Sequence, residues 1–89
     1  MNWIVYILEC GDGSLYTGIT NDLPKRLLAH QNGSGAKYTK GRGPLTLCYQ
    51  ETSPDRSTAS KREIRIKRLS RTEKLRLIGE VRLTGNSIY

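Results

Sequence analysis

The chain begins with a continuous run of hydrophobic positions, residues 3–8. Residues 3–10 are rich in β-branched and aromatic side chains, and a similar segment, residues 15–19, follows the turn sequence Gly-Asp-Gly-Ser. Two such segments around a tight turn predict an antiparallel β-hairpin. A third apolar segment at residues 45–51 predicts another strand.

Capping signals divide the rest of the chain into three predicted helices. Asn21 or Asp22 caps the first, which runs to about residue 31, and the Ser-Pro-Asp sequence at 53–55 begins the second, over 56–69. A capping box from Ser70 to Glu73 begins the third, which runs to about residue 83 before Gly85. The order β-β-α-β-α-α predicts an α/β chain of the α+β type with one small sheet.

Residues 32–44 contain four glycines and predict a loop, which we call the glycine loop. Within it, Tyr38 is interleaved with Lys37, Lys40 and Arg42. Cations can hold phosphates while an aromatic ring stacks on a base, so we expect these four residues to contact nucleic acid. A mobile surface loop is the alternative interpretation.

Length and composition predict a single domain over residues 1–89. The chain has 89 residues, 36% of them hydrophobic, which suffices for one thin core. Its longest apolar run is too short to cross a bilayer and lacks the flanks of a signal peptide, so we expect a cytoplasmic protein without a membrane partner. Cys10, Cys48 and His30 are too few ligands for a structural zinc ion.

Charge is distributed unevenly along this basic chain, whose net charge is +7. Residues 1–24 have three acids and no Lys or Arg, whereas residues 25–89 hold all fifteen bases and five acids. Such a basic field attracts polyanions, above all nucleic acid, and Arg62 in the second helix is a further candidate contact. A solvated helix face is the alternative.

One acidic side chain has an unusual predicted position. Ala59 and Ile66 mark the inward face of the second helix, and Glu63 lies about 40° from Ala59 at 100° per residue. The other acids have ordinary explanations as turn residues, helix caps or strand ends. For Glu63 the alternative to a functional role is an ion pair with a flanking arginine.

The first helix brings an arginine and a histidine toward the sheet. Leu23 and Leu27 mark its buried side, with His30 about 20° and Arg26 about 60° from Leu23. A single histidine on such a face is often a satisfied core residue, and a long cation often reaches to solvent.

The hairpin contributes tyrosines to one face of the sheet. Because alternate residues of a strand share a face, Tyr6 lies on the same side of the first strand as residues 4, 8 and 10. The turn can bring Tyr16 of the second strand close to it. Gly18 between them has no side chain to pack, which is typical of a close approach by another group. Core or edge aromatics are the simpler interpretation of two strand tyrosines.

Several site types are excluded by the residues present. One inward acid is too few for two-metal phosphodiester cleavage, and there are no triad partners for the single histidine. Neither nucleotide-binding glycine motif occurs, so no small-molecule cofactor is expected. The remaining possibility is a one-metal site with phenol and guanidinium groups.

Taken together, these residues resemble the GIY-YIG endonucleases. The resemblance rests on Ile-Val-Tyr at 4–6, Tyr-Thr-Gly at 16–18, Arg26 and Glu63, and it covers about residues 2–83. It is closest to the small stand-alone bacterial branch and more distant to the nuclease module of the excinuclease. Ile4 stands where the family has its first Gly, and Thr17 replaces the middle Ile, but neither change removes a catalytic side chain. Asn86 is not assigned the role of the family's late Asn.

The resemblance implies a central three-stranded antiparallel sheet flanked by helices and metal-dependent phosphodiester hydrolysis. Glu63 would bind one divalent ion, Mg²⁺ or Mn²⁺, and Arg26 would neutralise charge on the phosphate. Tyr6 would act as the general base or position the attacking water, with hydrogen-bonding support from Tyr16, and His30 is an alternative base.

We therefore expect a DNA endonuclease of low sequence specificity, with single-stranded or structured DNA as a candidate preference. Repair, DNA uptake and degradation of foreign DNA are equally compatible roles. A catalytically inactive nucleic-acid binding module is the main alternative, and a small protein-docking adaptor is a weaker one.

Overall fold

The computed structural model describes residues 2–83 and contains one sheet and three helices. Their order confirms the predicted β-β-α-β-α-α arrangement. The elements are β1 (Trp3–Glu9), β2 (Leu15–Thr20), α1 (Leu23–Gln31), β3 (Thr46–Ser53), α2 (Arg56–Lys67) and α3 (Arg71–Leu83). Gly85, the predicted stop of the third helix, and Asn86 lie outside the described residues.

The sheet is antiparallel, with β1 in the centre and the strand order β2-β1-β3. Tyr6 pairs with Gly18 on β2 and with Gln50 on β3. The third strand extends beyond the predicted 45–51 because Trp3 pairs with Ser53. The register shifts between Ile7 and Leu8, a bulge at which Cys48 is the extra residue of β3.

Local signals set the helix starts. The Asp22 side chain caps α1 by accepting a hydrogen bond from the Lys25 backbone N–H, and Asp55 caps α2 in the same way through Thr58. Ser70 and Glu73 form the reciprocal bonds of the predicted capping box. The second helix ends at Lys67, two residues before the predicted end.

Both faces of the sheet are covered by helices. On one face Val5 and Ile7 pack with residues of α2 and α3, among them Ala59 and Ile66, and with the half-buried Trp3. The indole of Trp3 also lies under the guanidinium of Arg56, 5.5 Å from its carbon. Burying this apolar surface from both sides is what holds the thin sheet together.

The other face of the sheet carries the second cluster, built around Tyr6, Leu8 and Leu23 of α1. Tyr16 and Leu27 pack at its margin. The predicted alternation along β1 is therefore confirmed, since Tyr6 and Leu8 face α1 while Val5 and Ile7 face α2. Within residues 2–83, no helix is both long and apolar enough to cross a bilayer.

Candidate active site

Tyr6 is completely buried at the centre of the sheet, and Gly18 makes its position possible. A Cβ atom built on Gly18 would lie 2.6 Å from the Tyr6 hydroxyl oxygen and 3.0 Å from the Tyr16 ring. The two tyrosine rings are 6.3 Å apart between centroids. Gly18 thus provides the space in which the phenol of Tyr6 lies across β2 beside Tyr16.

His30 reaches the same place from α1, and both of its ring nitrogens have partners. Its Nε2 lies 2.9 Å from the Tyr6 hydroxyl, and its Nδ1 lies 2.9 Å from the hydroxyl of Thr39 in the glycine loop. Only 2% of His30 is exposed. The structure therefore joins Tyr6 and His30, the two candidate bases, in one hydrogen-bonded pair.

Burial and one cation determine the ionisation of this pair. Burial raises the pKa of the Tyr6 phenol, although the nearby Arg26 opposes the shift. Burial also lowers the pKa of His30, and the charge of Arg26 lowers it further. Near neutral pH both groups are therefore uncharged, with the phenol protonated and the imidazole able to accept a proton.

Arg26 lies between the helix and the two phenols. Its guanidinium is in contact with the Tyr6 hydroxyl and also interacts with Tyr16. Its Nε is buried and has no hydrogen-bond partner among the residues that the structure describes. A buried N–H group without an acceptor is costly, so this atom marks a place where an anion would be stabilised.

Glu63 is a residue of α2, and its charge affects the ionisation of the Tyr6 phenol. Its negative charge contributes to the raised pKa of Tyr6, after burial and the neighbouring Tyr16. Its carboxylate lies 3.2 Å from the Lys67 ammonium, so the ion-pair partner is a lysine and not the flanking arginine that the sequence suggested. The Glu63 side chain is 20% exposed and that of Lys67 is 53% exposed, so Lys67 is free to move into solvent.

The donor set limits what metal could bind. Residues 2–83 contain no group of three or more His, Cys, Asp or Glu side chains placed to hold an ion. Glu63 alone offers a hard oxygen ligand, which fits an ion that keeps several waters and takes its other ligands from a phosphate. It does not fit a tightly held structural metal.

The glycine loop covers the tyrosines. Tyr38 packs against Tyr16 with 5.9 Å between ring centroids, and the Arg42 guanidinium carbon lies 4.5 Å from the centre of the Tyr38 ring. Arg42 in turn pairs with Asp12 in the hairpin turn. Tyr38 and Arg42 are therefore parts of the wall beside the site, while the lysines at 37 and 40 are exposed and enter no ion pair within the described chain.

The glycine loop is anchored at both ends. Near its start, a Cβ atom on Gly35 would lie 2.5 Å from Nδ1 of His30. Near its end, the Gly11 N–H donates to the Arg42 carbonyl, and a Cβ atom on Gly11 would lie 2.2 Å from the Gly43 carbonyl oxygen. These contacts hold the loop against α1 and the hairpin turn, so it is a packed element.

Arg62 lies apart from this site. Its Nε donates to both carboxylate oxygens of Glu51 at 3.1 and 3.0 Å, and the Tyr49 hydroxyl donates to the same carboxylate. This position gives no support to the predicted DNA contact of Arg62, which remains a prediction.

Sequence reasoning missed Thr39 and Gly35, two loop residues that touch the imidazole ring of His30. Neither carries a periodic or charged signal, since both lie in a segment whose irregular backbone hides which side chains turn inward. The only available sign was the concentration of small residues in the segment that follows His30.

Comparisons with known proteins identify the family. Residues 2–76 match the GIY-YIG catalytic domain. A UPF0213 protein of Clostridium perfringens is 58% identical over 78 residues, which are 88% of this chain and 83% of the relative.

Two solution NMR structures share the fold. One is a UPF0213 protein of Bacillus halodurans with 48% identity and a TM-score of 0.58, and the match covers 89% of this chain and 84% of the other. The second, a protein of E. faecalis, has 35% identity and a TM-score of 0.65, with 93% and 88% coverage. With the sheet, the helices and both tyrosine motifs in place, the chain belongs to the GIY-YIG family of nuclease domains.

Proposed function

We propose that this protein is a metal-dependent DNA endonuclease of low sequence specificity. The observation that carries the proposal is the hydrogen bond between Tyr6 and His30 beside the unpartnered Nε of Arg26. A protonated phenol with a neutral imidazole behind it is suited to remove a proton from water. The half-buried guanidinium of Arg26 beside it is suited to hold the phosphate under attack.

The proton path runs from water through Tyr6 to His30. As the water attacks phosphorus, its proton passes to the Tyr6 oxygen while the phenol proton passes to Nε2 of His30. This relay avoids a standing phenolate, which the raised pKa of Tyr6 disfavours. The two residues thus act as one base.

Arg26 binds the phosphate on which charge increases. Its buried Nε lacks an acceptor within the described chain, and a phosphate oxygen would provide one. Because the guanidinium also contacts the Tyr6 hydroxyl, it would place the phosphate next to the attacking water.

Glu63 would hold one divalent ion, Mg²⁺ or Mn²⁺, together with water and phosphate oxygens. When bound, the ion supplies positive charge to the scissile phosphate and its leaving oxygen. Lys67, which pairs with Glu63 at 3.2 Å, would release the carboxylate for this purpose.

The chemistry of the surrounding surface favours DNA contacts that do not read sequence. Lys37 and Lys40 are exposed beside the site, and contacts from lysine to phosphate position a duplex or single strand without identifying bases. Single-stranded or structured DNA is the preferred form in this proposal, because a short curved strand fits a small basic surface more readily than a long duplex.

The test is a substrate panel of labelled single-stranded, double-stranded and branched DNA with Mg²⁺, Mn²⁺ or a chelator. Wild type should cleave with either ion, and Glu63→Gln should lose about 10²-fold or more of this activity, since it removes the ionic metal ligand. Glu9→Gln, an exposed strand-end carboxylate, is the matched control and should cleave as wild type does. Equal cleavage by wild type and Glu63→Gln would refute the proposal.

A binding module without catalysis is the second candidate, and the Glu63–Lys67 ion pair favours it because that pair occupies the carboxylate proposed to hold the metal. It predicts salt-sensitive DNA binding that needs no divalent ion and is unchanged in Glu63→Gln. Absence of cleavage on every substrate, with such binding intact, would select this candidate.

A further inference from the structure

The hydroxyl of Thr39 has a single proton and two possible acceptors, the Ala36 carbonyl and Nδ1 of His30. Thr39 Oγ1 lies 3.1 Å from the backbone carbonyl oxygen of Ala36, a group that can only accept. With the proton donated to this carbonyl, which also accepts from the backbone N–H groups of Thr39 and Lys40, Oγ1 faces His30 with its lone pairs. Thr39 is only 2% exposed, so bulk water does not compete for this bond.

This direction fixes the proton on the imidazole. Nδ1 of His30 lies 2.9 Å from Thr39 Oγ1, which accepts in this arrangement, so Nδ1 carries the hydrogen. In a neutral ring the other nitrogen, Nε2, then has a free lone pair. Nε2 lies 2.9 Å from the Tyr6 hydroxyl and accepts its proton.

We infer that Thr39 is a positioning residue that selects the His30 tautomer able to accept a proton from Tyr6. This inference rests on the proposed function for its catalytic consequence, but the tautomer itself is a property of the free protein. The four groups form a directed chain, from the Tyr6 hydroxyl to His30, from His30 to Thr39, and from Thr39 to the Ala36 carbonyl. When Nε2 gains a proton, Nδ1–H remains bonded to Thr39, so no other group has to move.

The glycine loop is thereby part of the active site although none of its side chains touches the reacting atoms. Gly35 presses its backbone against the imidazole, where a Cβ atom would lie 2.8 Å from Cγ of His30. Gly35 limits where the imidazole ring of His30 can lie, and Thr39 determines which of its nitrogens is protonated. Orientation by a neighbouring group is the usual way in which a protein selects one histidine tautomer.

The test measures the tautomer directly. His30 is the only histidine, so ¹⁵N-labelled protein gives one set of imidazole signals in a long-range ¹H–¹⁵N correlation spectrum, without DNA. We expect a protonated Nδ1 and an unprotonated Nε2 in wild type, and a shift toward a protonated Nε2 in Thr39→Val. Thr39→Ser, which keeps the hydroxyl, should restore the wild-type pattern.

Valine is preferred to alanine for this variant. A cavity of about 350 Å³ borders both His30 and Thr39, and a water molecule could replace the hydroxyl there if the side chain were only truncated. Valine has nearly the shape of threonine, so it leaves no comparable space. Thr46→Val, at an exposed position of β3, is the matched control and should leave both the spectrum and cleavage unchanged.

Cleavage provides the second readout. Thr39→Val should lose about 10- to 100-fold in kcat, a part of the ~10²- to 10⁴-fold that a positioned base contributes, and Thr39→Ser should recover most of this loss. KM for DNA should change little, because Thr39 contacts no phosphate in this scheme.

The outcomes are distinct. A wild-type spectrum with the proton on Nε2 overturns the inference even if every variant fails to fold, and so does a Thr39→Val protein with wild-type tautomer and rate. If the tautomer shifts as expected but wild type cleaves no DNA, the positioning role stands and the proposed nuclease function fails.

Discussion

Packing around Tyr6 leaves almost no freedom for the groups that would do chemistry. The phenol lies over a glycine, contacts a guanidinium and donates to a buried imidazole. Each of these neighbours constrains the same hydroxyl from a different element. The site is therefore preorganised at the residue scale, because packing leaves the Tyr6 side chain a single position.

Gly18→Ala should therefore impair the site more than an ordinary strand substitution. The added Cβ would meet the Tyr6 hydroxyl oxygen at 2.6 Å, and overpacking a rigid core costs about 1–3 kcal/mol. We expect a lower midpoint of thermal unfolding and a loss of about tenfold or more in cleavage. Gly79→Ala in α3 is the control, because nothing lies within 4 Å of its Cβ and alanine favours a helix by about 1 kcal/mol.

If Gly18→Ala and Gly79→Ala unfold at the same temperature and cleave alike, the space over Gly18 is not needed for Tyr6. If Gly18→Ala is as stable as wild type but cleaves DNA more slowly, the substitution displaces the Tyr6 phenol without destabilising the fold.

At the scale of elements, α1 and the glycine loop form a unit through His30. The helix supplies the imidazole and the loop covers it, with Ser34 and Gly35 following soon after the helix end. Tyr6 and Tyr16 from the hairpin, Arg26 from α1 and Thr39 from the loop face the ring. None of these neighbours is an anion, so none of them stabilises the charged form of His30.

Acid should weaken this unit before it affects the rest of the protein. Because the pKa of His30 is lowered in the folded state, the unfolded chain binds a proton below pH ~6.5 that the folded chain resists. The free energy of unfolding should thus fall as pH drops from about 7 to 5, by at most ~1.4 kcal/mol per pH unit. Urea unfolding at each pH measures it.

His30→Gln is the comparison for this prediction, and its stability should be flatter between pH 7 and 5. The carboxylates of Asp12 and Asp55, whose pKa values are also lowered, lose their contributions only nearer pH ~4 and below. A wild-type stability that is constant from pH 7 to 5 would contradict the assignment of a neutral, desolvated His30.

The elements themselves were largely predictable, because their signals are local. Asp22 and the Ser70–Glu73 pair cap their helices as the sequence indicates, and alternation placed Tyr6 and Tyr16 on one face. The contact between Tyr6 and His30 was not predictable from spacing, since it joins residues 24 positions apart through the angle at which α1 crosses the sheet. The same holds for Thr39, whose place depends on the irregular path of the loop.

Tyr38 illustrates the limit in another way. Its position among cations suggested a free ring for stacking on a base, yet the ring packs on Tyr16 and under Arg42. Composition indicated the right segment, but which partner the ring meets depends on how the loop folds back over β2. Its contact with DNA remains a prediction.

On the scale of the whole molecule, some of the basic residues lie beside the site and others lie on surfaces that face away from it. Lys37 and Lys40 lie in the loop that covers the tyrosines, whereas Lys61 and Arg65 are exposed on α2, about 200° and 240° around that helix from the buried Ala59. The first pair is near the proposed path of the strand, and the second faces away from the sheet.

Replacing Lys37 and Lys40 together by alanine should reduce the salt dependence of DNA binding. Each lost phosphate contact lowers the slope of log K against log salt by about 1, so the double variant should lose about 2. The Lys61→Ala, Arg65→Ala double variant carries the same change in net charge and should keep the slope. Fluorescence anisotropy with labelled DNA over a series of salt concentrations measures both.

Equal slopes for the two double variants would mean that DNA is held by the general field of the protein. In that case the loop lysines would have no special role in binding.

The indole at position 3 has a practical consequence for all of these measurements. Trp3 is the only tryptophan, and it packs on the face of the sheet turned away from His30, clamped by a guanidinium of the neighbouring helix. Its emission therefore monitors whether the scaffold is intact while remaining blind to rearrangements among the tyrosines. A substitution that abolishes cleavage but keeps the native emission spectrum would have disrupted the catalytic residues without unfolding the sheet and helices around Trp3.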